Sequence, residues 1–157
     1  MVILANKNRE EIRRADELKG DFAIGKENDF EMISSVGDWT GDIDFGSYLY
    51  TPNTEFGGIV TEIESSAGQN QIFVRGATWR GMLAKKIIEP KRGEDYRTVS
   101  GRVEDVVREL VAECGLDSLF SVPTTEDETE IRFQFDRYCT LLAGSVSYTH
   151  LRAHETP

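Results

Sequence analysis

The chain contains few cysteines, few prolines and no long apolar run. Two of its 157 residues are Cys and four are Pro. Two cysteines are too few for the disulfide framework of a small secreted domain, so a reducing compartment is the simpler prediction. No apolar run approaches the ~18 residues that a membrane-spanning helix needs, and the short apolar start lacks the basic region of a signal peptide. The sequence therefore predicts no association with a membrane.

Positive charge is also scarce. The chain carries 18 Lys and Arg against 28 Asp and Glu, which gives a net charge of −10. Surfaces that bind nucleic acids or anionic lipids neutralise phosphates with Lys and Arg, so this balance predicts no specific nucleic-acid partner. Hydrophobic residues make up 39% of the chain and aromatic residues 10%, which is enough for a folded core. The length suits one domain, or one domain and part of a second.

Histidine is confined to the last residues. His150 and His154 have the i, i+4 spacing that can hold zinc on a helix. However, residues 146–157 resemble a translated sequencing adapter, so residues 145–157 are interpreted as a non-native tail and the natural chain is expected to diverge near Ser145. Because no histidine precedes residue 150, the rest of the chain cannot form a His-based catalytic triad.

The first half of the chain predicts short strands separated by turns. The strand-like runs are residues 22–24, 30–33, 48–50, 59–64 and 72–74. In the fourth run, Ile59, Thr61 and Ile63 are expected on one face and the residues between them on the other. Such spacing favours an antiparallel sheet, as a small barrel or sandwich, over parallel βαβ units. Residues 9–18 have helical composition, yet the Asn6-Lys7-Asn8 corner equally suits a hairpin.

A first helix is predicted after the last of these strands. Thr78 can cap a helix whose apolar face carries Trp79 and Ile87, and the helix is expected to stop before Pro90. With the helices further along the chain, this gives an α+β fold with two to three packed helices.

The second predicted helix is the most clearly patterned element. Residues 103–114 carry an apolar stripe at helical spacing, with Ser100 as the expected N-cap and Gly115 as the expected left-handed stop. Residues 131–135 alternate as a strand, and Asp136 is expected to cap a third helix.

Catalytic and metal-binding patterns are weak. Cys114 lies on the apolar stripe, and packing is also the preferred role for Cys139. Glu62 and Glu64 share a predicted strand face and allow a glycosidase pair, but a solvated acidic face is the simpler interpretation. The spacing of Asp38, Asp42 and Asp44 does not match a calcium-binding loop, so a plain turn is preferred. We expect no catalytic residue, no metal site and no cofactor.

The distribution of positive charge is uneven. Residues 75–97 contain seven basic and three acidic residues, a net charge of +4, so the rest of the chain carries −14. One interpretation is a solvated helix face. The other is a basic edge that meets the acidic edge of a second copy, a head-to-tail contact that closes into a ring. The candidate assembly residues are Arg75, Arg80, Lys85, Lys86, Lys91 and Arg92.

Several short motifs, taken in order, resemble one viral family. They are Asp29-Phe30-Glu31, Gly46-Ser47-Tyr48-Leu49-Tyr50, Glu62-Ile63-Glu64 and the strand–Gly–helix run at 74–88 that ends in Lys85-Lys86-Ile87-Ile88. Together they resemble the N-terminal part of siphovirus tail proteins of the ReqiPepy-type, Gp-thirty-seven-like group. The resemblance covers residues 1–144 and favours the hairpin at the N-terminus.

The resemblance implies a structural, non-enzymatic component of a phage or prophage tail, assembled in the host cytoplasm and located in the virion tail. Residues 1–97 would form a tube-type β-barrel subdomain of a tail or baseplate hub, and residues 98–144 would begin a second subdomain. The expected partners are further copies of the chain, in a ring, and other tail proteins. The alternative is a carbohydrate-binding or cell-wall-hydrolysing module that uses Trp39, Tyr48 and Tyr50 with surface carboxylates.

Overall fold

The computed structural model describes residues 2–14, 20–25, 29–124 and 129–147. The fold is α+β with a mostly antiparallel sheet, as predicted. The chain forms two compact units, Met1–Met82 and Leu83–Pro157. The subdomain division predicted after residue 97 stays a prediction. Most of the predicted non-native tail, with His150 and His154, lies outside the described residues.

The first unit contains a seven-stranded sheet. Its strands are β1 (Ile3–Ala5), β2 (Glu11–Arg14), β3 (Gly20–Ile24), β4 (Asp29–Ser35), β5 (Tyr48–Tyr50), β6 (Gly57–Ser66) and β7 (Gln71–Thr78). They lie in the order β2-β1-β5-β6-β7-β4-β3, and every neighbouring pair is antiparallel. All five predicted strands are confirmed. Within the described ranges β2 and β3 each have one neighbour, so the sheet forms no closed barrel there.

The N-terminal segment forms the hairpin β1–β2, so this prediction is confirmed as far as Arg14. The side-chain amide oxygen of Asn6 accepts hydrogen bonds from the backbone N–H groups of Asn8 and Glu10, at 2.9 and 3.0 Å. Arg9 has a φ of 67°, the left-handed conformation that completes the corner. The rest of the alternative helix, residues 15–19, lies outside the described part of the chain.

The alternation predicted for β6 is wrong because the strand contains a β-bulge. Val60 pairs with Gly76 and Glu62 pairs with Arg75, so Thr61 is an extra residue without a direct partner on β7. An extra residue reverses the faces of all residues that follow it. Val60 is therefore buried in the core, and Ile63, three residues later, packs against that same core.

The core of the first unit lies on one face of the sheet. Alternate residues of β4 and β7 point into it, and single residues of β1, β5 and β6 join them, with Ile43 from a loop. The buried cluster consists of Leu4, Phe30, Met32, Ile43, Leu49, Val60, Ile72 and Val74. The opposite face of β4, β6 and β7 carries charged side chains, which are described below.

Helix α1 (Trp79–Ala84) follows β7 directly. The Thr78 hydroxyl accepts a hydrogen bond from the N–H of Gly81 at 3.1 Å, so the predicted cap is confirmed. The helix ends earlier than predicted. Ile87 is not helical: it forms an isolated β-bridge with Thr140, and 48% of its surface is exposed.

The second unit contains a two-stranded sheet and two helices. Strand β8 (Thr98–Arg102) pairs with β9 (Glu130–Gln134), and α2 (Val103–Glu113) follows β8 without a loop. The predicted cap at Ser100 is wrong, because Ser100 lies inside β8 opposite Arg132 and the helix begins three residues later. The predicted stop is confirmed, since Gly115 has a φ of 69°.

A third helix, α3, occupies residues 141–147. It begins later than predicted because Thr140, and not Asp136, caps it: the Thr140 hydroxyl accepts a hydrogen bond from the N–H of Ala143 at 3.2 Å. Asp136 instead belongs to a turn, in which its carbonyl oxygen accepts a bond from the N–H of Cys139 at 3.2 Å.

Candidate assembly surface

Arg75 lies at the centre of an acidic cluster on the outer face of the first unit's sheet. Its guanidinium donates to Glu31 at 2.6 Å, to Glu64 at 2.7 Å and to Glu62 at 3.2 Å. The strand register explains the geometry, because Glu31 and Glu62 are the direct partners of Arg75 on β4 and β6. Hydrogen bonds to Glu31 and Glu64 raise the pKa of Arg75. We call these four residues the Arg75 cluster; its formal charge is −2.

The Arg75 cluster bears on two predictions made from the sequence: the basic edge that includes Arg75 and the possible glycosidase pair Glu62 and Glu64. Arg75 was predicted to belong to a basic edge, but three carboxylates surround it and the local charge is negative. Glu62 and Glu64, the pair considered for glycoside hydrolysis, both bind the same guanidinium. Their arrangement is that of a cross-strand ion-pair network, in which opposite charges on neighbouring strands stabilise the sheet.

Other basic residues of the 75–97 segment also have carboxylate partners. Arg80 pairs with Glu55 at 2.7 Å, and both side chains are more than half exposed. Lys91 approaches Glu109 at 3.5 Å. These contacts join residues that are 18 or 25 positions apart, which explains why the sequence pattern did not reveal them.

Arg97 is the most deeply buried basic residue of this segment. Its side chain is 2% exposed, and Nη2 donates to Glu109 at 2.7 Å and to Glu113 at 2.9 Å, both on α2. Charged side chains are buried only where they are paired, and two half-exposed carboxylates supply the pairing here. Arg97 therefore fixes α2 to the segment before β8 and presents no charge at the surface.

Three of the six candidate assembly residues differ from the others in their ion pairing. Lys85, Lys86 and Arg92 are exposed and, across the residues that the structure describes, none of them forms an ion pair. The other three, Arg75, Arg80 and Lys91, have carboxylate neighbours. The basic surface is thus smaller than predicted and is concentrated in the residues that follow α1.

A cavity of about 550 Å³ lies beside these lysines in the second unit. Lysines 85, 86 and 91 and two glutamates form its polar lining, while isoleucines 87 and 88, Pro90 and Leu110 form its apolar lining. Cys114, at the end of α2, completes it. No pattern in the sequence indicates this cavity, because residues 85–91 are predicted to be largely helical and meet α2 only in the folded chain.

The candidate metal ligands are not brought together. Asp42 pairs with Arg13 at 2.7 Å, Asp38 accepts from the Ser35 hydroxyl at 2.7 Å, and Asp44 accepts from the N–H of Phe45 at 2.7 Å. Among the described residues, no group of three or more His, Cys, Asp or Glu is arranged to hold a metal ion.

Neither cysteine is activated as a nucleophile. Burial raises the pKa of the Cys114 thiol above its ordinary value, and burial together with the charge of Asp136 does the same for Cys139. Nucleophilic cysteines have a lowered pKa, so these two shifts have the opposite sign to that of an activated thiol.

The aromatic residues considered for carbohydrate binding do not form an exposed platform. Trp39 is half-buried and packs against the core of the first unit. Tyr48 and Tyr50 are half-buried on β5, and the ring of Tyr48 lies 6.3 Å from that of Trp79 at an angle of 37°. Sugar rings stack on flat exposed aromatic faces, which this tilted and partly covered pair does not offer.

Across the described ranges, no helix combines the length and apolar character required for a membrane crossing. No protein-family model matches the chain, and no curated protein sequence matches it.

Proposed function

We propose that this protein is a structural, non-enzymatic component of a phage or prophage tail, a hub subunit that assembles with copies of itself and docks other tail proteins. The observation that carries the proposal is the separation of charge between two surfaces. Lys85 and Lys86, in the second unit, form no ion pair within the described part of the chain, whereas the Arg75 cluster carries an excess of two negative charges in the first unit.

Charge separation of this kind suits a head-to-tail contact between copies. Complementary potentials on two different patches of one chain favour heterologous association, which closes into a ring when the rotation between copies permits it. The net charge of the Arg75 cluster, −2, is equal and opposite to the combined charge of Lys85 and Lys86. An isolated surface ion pair contributes little, but several charges that form one network contribute more.

The short connection between the two edge strands of the first unit also supports the proposal, because tail hubs are built from tube-forming barrels and a short connection requires a curved sheet. Strands β2 and β3 are the two edges of the sheet, six strand spacings apart. In a flat sheet that separation would be about 29 Å. Arg14 and Gly20, which end β2 and begin β3, are six residues apart, and an extended chain of that length reaches only about 21 Å. We infer that the sheet curves strongly, as a barrel wall does.

The composition of the core supports the same curvature. Leu4 and Phe30 belong to one buried cluster, although β1 and β4 are separated by three strands in the sheet. Residues so far apart on a flat sheet need a second layer to enclose them, whereas a rolled sheet encloses its own concave face.

Sedimentation velocity of the purified chain at low and high salt tests the proposal. We expect oligomers at 50 mM NaCl that dissociate at 500 mM NaCl, because exposed charges are screened within a few ångströms at high ionic strength. The Lys85→Glu/Lys86→Glu variant is expected to remain monomeric at both. The matched control is Arg132→Glu/Arg137→Glu, which changes the charge equally at two exposed residues outside the basic surface.

Ring-shaped particles in negative-stain micrographs of the low-salt oligomer would support a hub. A wild-type chain that sediments as a monomer at every salt concentration would contradict self-assembly. Equal loss of association in the control variant would show that net charge, and not Lys85 and Lys86, governs association.

A further inference from the structure

We propose that the cavity beside Lys85 and Lys86 is a socket for the Asp44–Phe45 turn of a second copy. This inference rests on the proposed self-assembly and adds one specific contact to the attraction between the lysines and the first unit, to which both the Arg75 cluster and the Asp44–Phe45 turn belong. It differs from general charge attraction because it requires one aromatic side chain of one copy to enter one cavity of another.

The cavity, which we call the socket, combines an apolar floor with a cationic rim. Ile87 is 48% exposed and offers accessible apolar surface, while Ile88 and Leu110 lie buried beneath. Lys85 and Lys86 stand at the rim, where their aliphatic stems extend the apolar surface and their ammonium groups stay in water. A socket of this chemistry fits an apolar side chain that has a carboxylate beside it.

The socket is large enough to hold an aromatic side chain. At about 550 Å³ it falls within the range of ~300–1,000 Å³ that holds drug-sized ligands, so one aromatic ring and its flanking backbone can enter. Glu89 and Glu113 also line the socket, and they partly offset the positive charge of the rim. The apolar floor is therefore expected to add specificity to the salt-dependent attraction of the rim.

Phe45 is the most exposed large hydrophobic residue within the described ranges, at 60%. Phe45 lies at the tip of a turn that several hydrogen bonds hold in place. The Asp44 carboxylate accepts from the N–H of Phe45 at 2.7 Å, and Asp44 and Ser47 exchange two further bonds of 3.0 Å. The N–H of Gly46 donates to the carbonyl of Val60 at 2.9 Å, which ties the turn to β6. A preorganised projection loses little conformational entropy when it binds.

Other exposed aromatic residues fit the socket less well. Phe56 lines a small cavity of about 160 Å³ in its own unit, and its neighbour Glu55 is paired with Arg80. The guanidinium of Arg137 lies 5.3 Å from the ring of Tyr138. If Tyr138 entered the socket, it would bring this positive charge close to the lysines of the rim. Tyr96 also follows an aspartate, Asp95, but at 47% exposed its ring projects less than that of Phe45.

Complementation between two defective variants tests the inference. Phe45→Ala removes the projection and keeps the socket, whereas Lys85→Glu/Lys86→Glu damages the socket and keeps the projection. Each variant alone is expected to associate at least tenfold more weakly than wild type, the loss expected for a central aromatic anchor. Mixed in equal amounts they are expected to form a discrete 1:1 heterodimer, because one intact projection meets one intact socket. Phe56→Ala is the matched control and is expected to associate as wild type does.

The outcomes separate this inference from the proposed function. If wild type and Phe45→Ala assemble equally while the lysine variant does not, the socket model is wrong and charge-driven self-assembly stands. Loss of association in Tyr96→Ala but not in Phe45→Ala would also overturn it, in favour of Tyr96 as the projecting side chain. If wild type never associates, both proposals fail together. An unchanged urea midpoint for Phe45→Ala, expected at so exposed a position, shows that the variant is folded.

Discussion

The ring of Phe30 occupies the space that a side chain at position 76 would need. Phe30 and Gly76 are paired residues of β4 and β7, and a Cβ atom built on Gly76 would lie 2.6 Å from Cζ of Phe30. The same Cβ would overlap the carbonyl oxygen of Ile59 on β6. Gly76 is therefore required by the close approach of a buried aromatic ring and a neighbouring strand, and not by its backbone angles.

Gly76→Ala is expected to lower the free energy of unfolding by about 3 kcal/mol, because the methyl group must displace both Phe30 and the β6 backbone. Urea denaturation followed by circular dichroism measures the change. Gly68→Ala is the matched control, since a Cβ there meets no atom within 4 Å. An equal loss in the two variants would mean that packing against Phe30 is not the cause.

Arg75→Gln is expected to destabilise the first unit by about 1 kcal/mol at low salt, because Glu31, Glu62 and Glu64 then repel one another across three strands. The loss should shrink in 1 M NaCl, which screens repulsion between exposed charges. Urea midpoints at both salt concentrations measure it. Arg108→Gln, which removes a single exposed pair with Asp105 on α2, is the control and should change little. A loss that does not depend on salt would contradict the electrostatic explanation.

Removing the two carboxylates that pair with Arg97 is expected to destabilise the protein more than removing Arg97 itself. Glu109→Ala/Glu113→Ala leaves a buried guanidinium without partners and should cost about 3 kcal/mol in the free energy of unfolding. Arg97→Met should cost less than half as much, because the two glutamates are half exposed and water can solvate them. Urea denaturation of both variants tests this order, and the reverse order would show that Arg97 contributes mainly through packing.

The two partly buried thiols predict how stability depends on alkaline pH. Burial raises the pKa of Cys114 and Cys139, so the folded chain keeps protons that the unfolded chain, with thiol pKa values of about 8.5, has begun to lose. The stabilisation from these thiols is complete below that pH and is lost as the pH rises through the folded-state values. The free energy of unfolding should therefore fall above pH 8.5, and less steeply in Cys114→Ala/Cys139→Ala.

Alkylation provides an independent measurement on the same thiols. At pH 8, iodoacetamide should modify the folded chain more slowly than the chain in 8 M urea, since the thiolate is the reactive form and burial disfavours it. Mass spectrometry of the labelled peptides distinguishes Cys114 from Cys139. Equal rates in the folded and unfolded chain would show that the thiols are neither buried nor shifted.

Most elements of the fold were predictable from local sequence. Turn-forming residues separate the strands of the first unit, and Gly115 and Thr78 mark helix ends by conformational preferences that act within a few residues. The predictions that were wrong concern residues whose local structure depends on pairing with another strand. Ser100 has a cap-forming side chain, but pairing with Arg132 extends the strand through it. The bulge at Thr61 likewise depends on how β6 pairs with β7.

The candidate surface was less predictable than the fold. The uneven charge of residues 75–97 is visible in the sequence, but the sequence does not show which charges are neutralised. Arg75 reaches Glu31 across 44 positions, and Arg97 is covered by α2. Such partners are set by strand register and helix packing, so Lys85, Lys86 and Arg92 stand out only in the folded chain.

Because of the bulge at Thr61, the inward-facing residues of β6 are even-numbered before it and odd-numbered after it. Even-numbered Val60 lies inward before it, and odd-numbered Ile63 lies inward after it. Deleting Thr61 would make the pairing of β6 with β7 unbroken and would keep both Val60 and Ile63 inward, because Glu62 would then follow Val60 directly and still pair with Arg75. Thr61 thus lets two apolar residues three positions apart share one face of a strand. If Thr61 instead took the place of Glu62 opposite Arg75, without the bulge, Glu62 and Glu64 would point toward the core and away from Arg75.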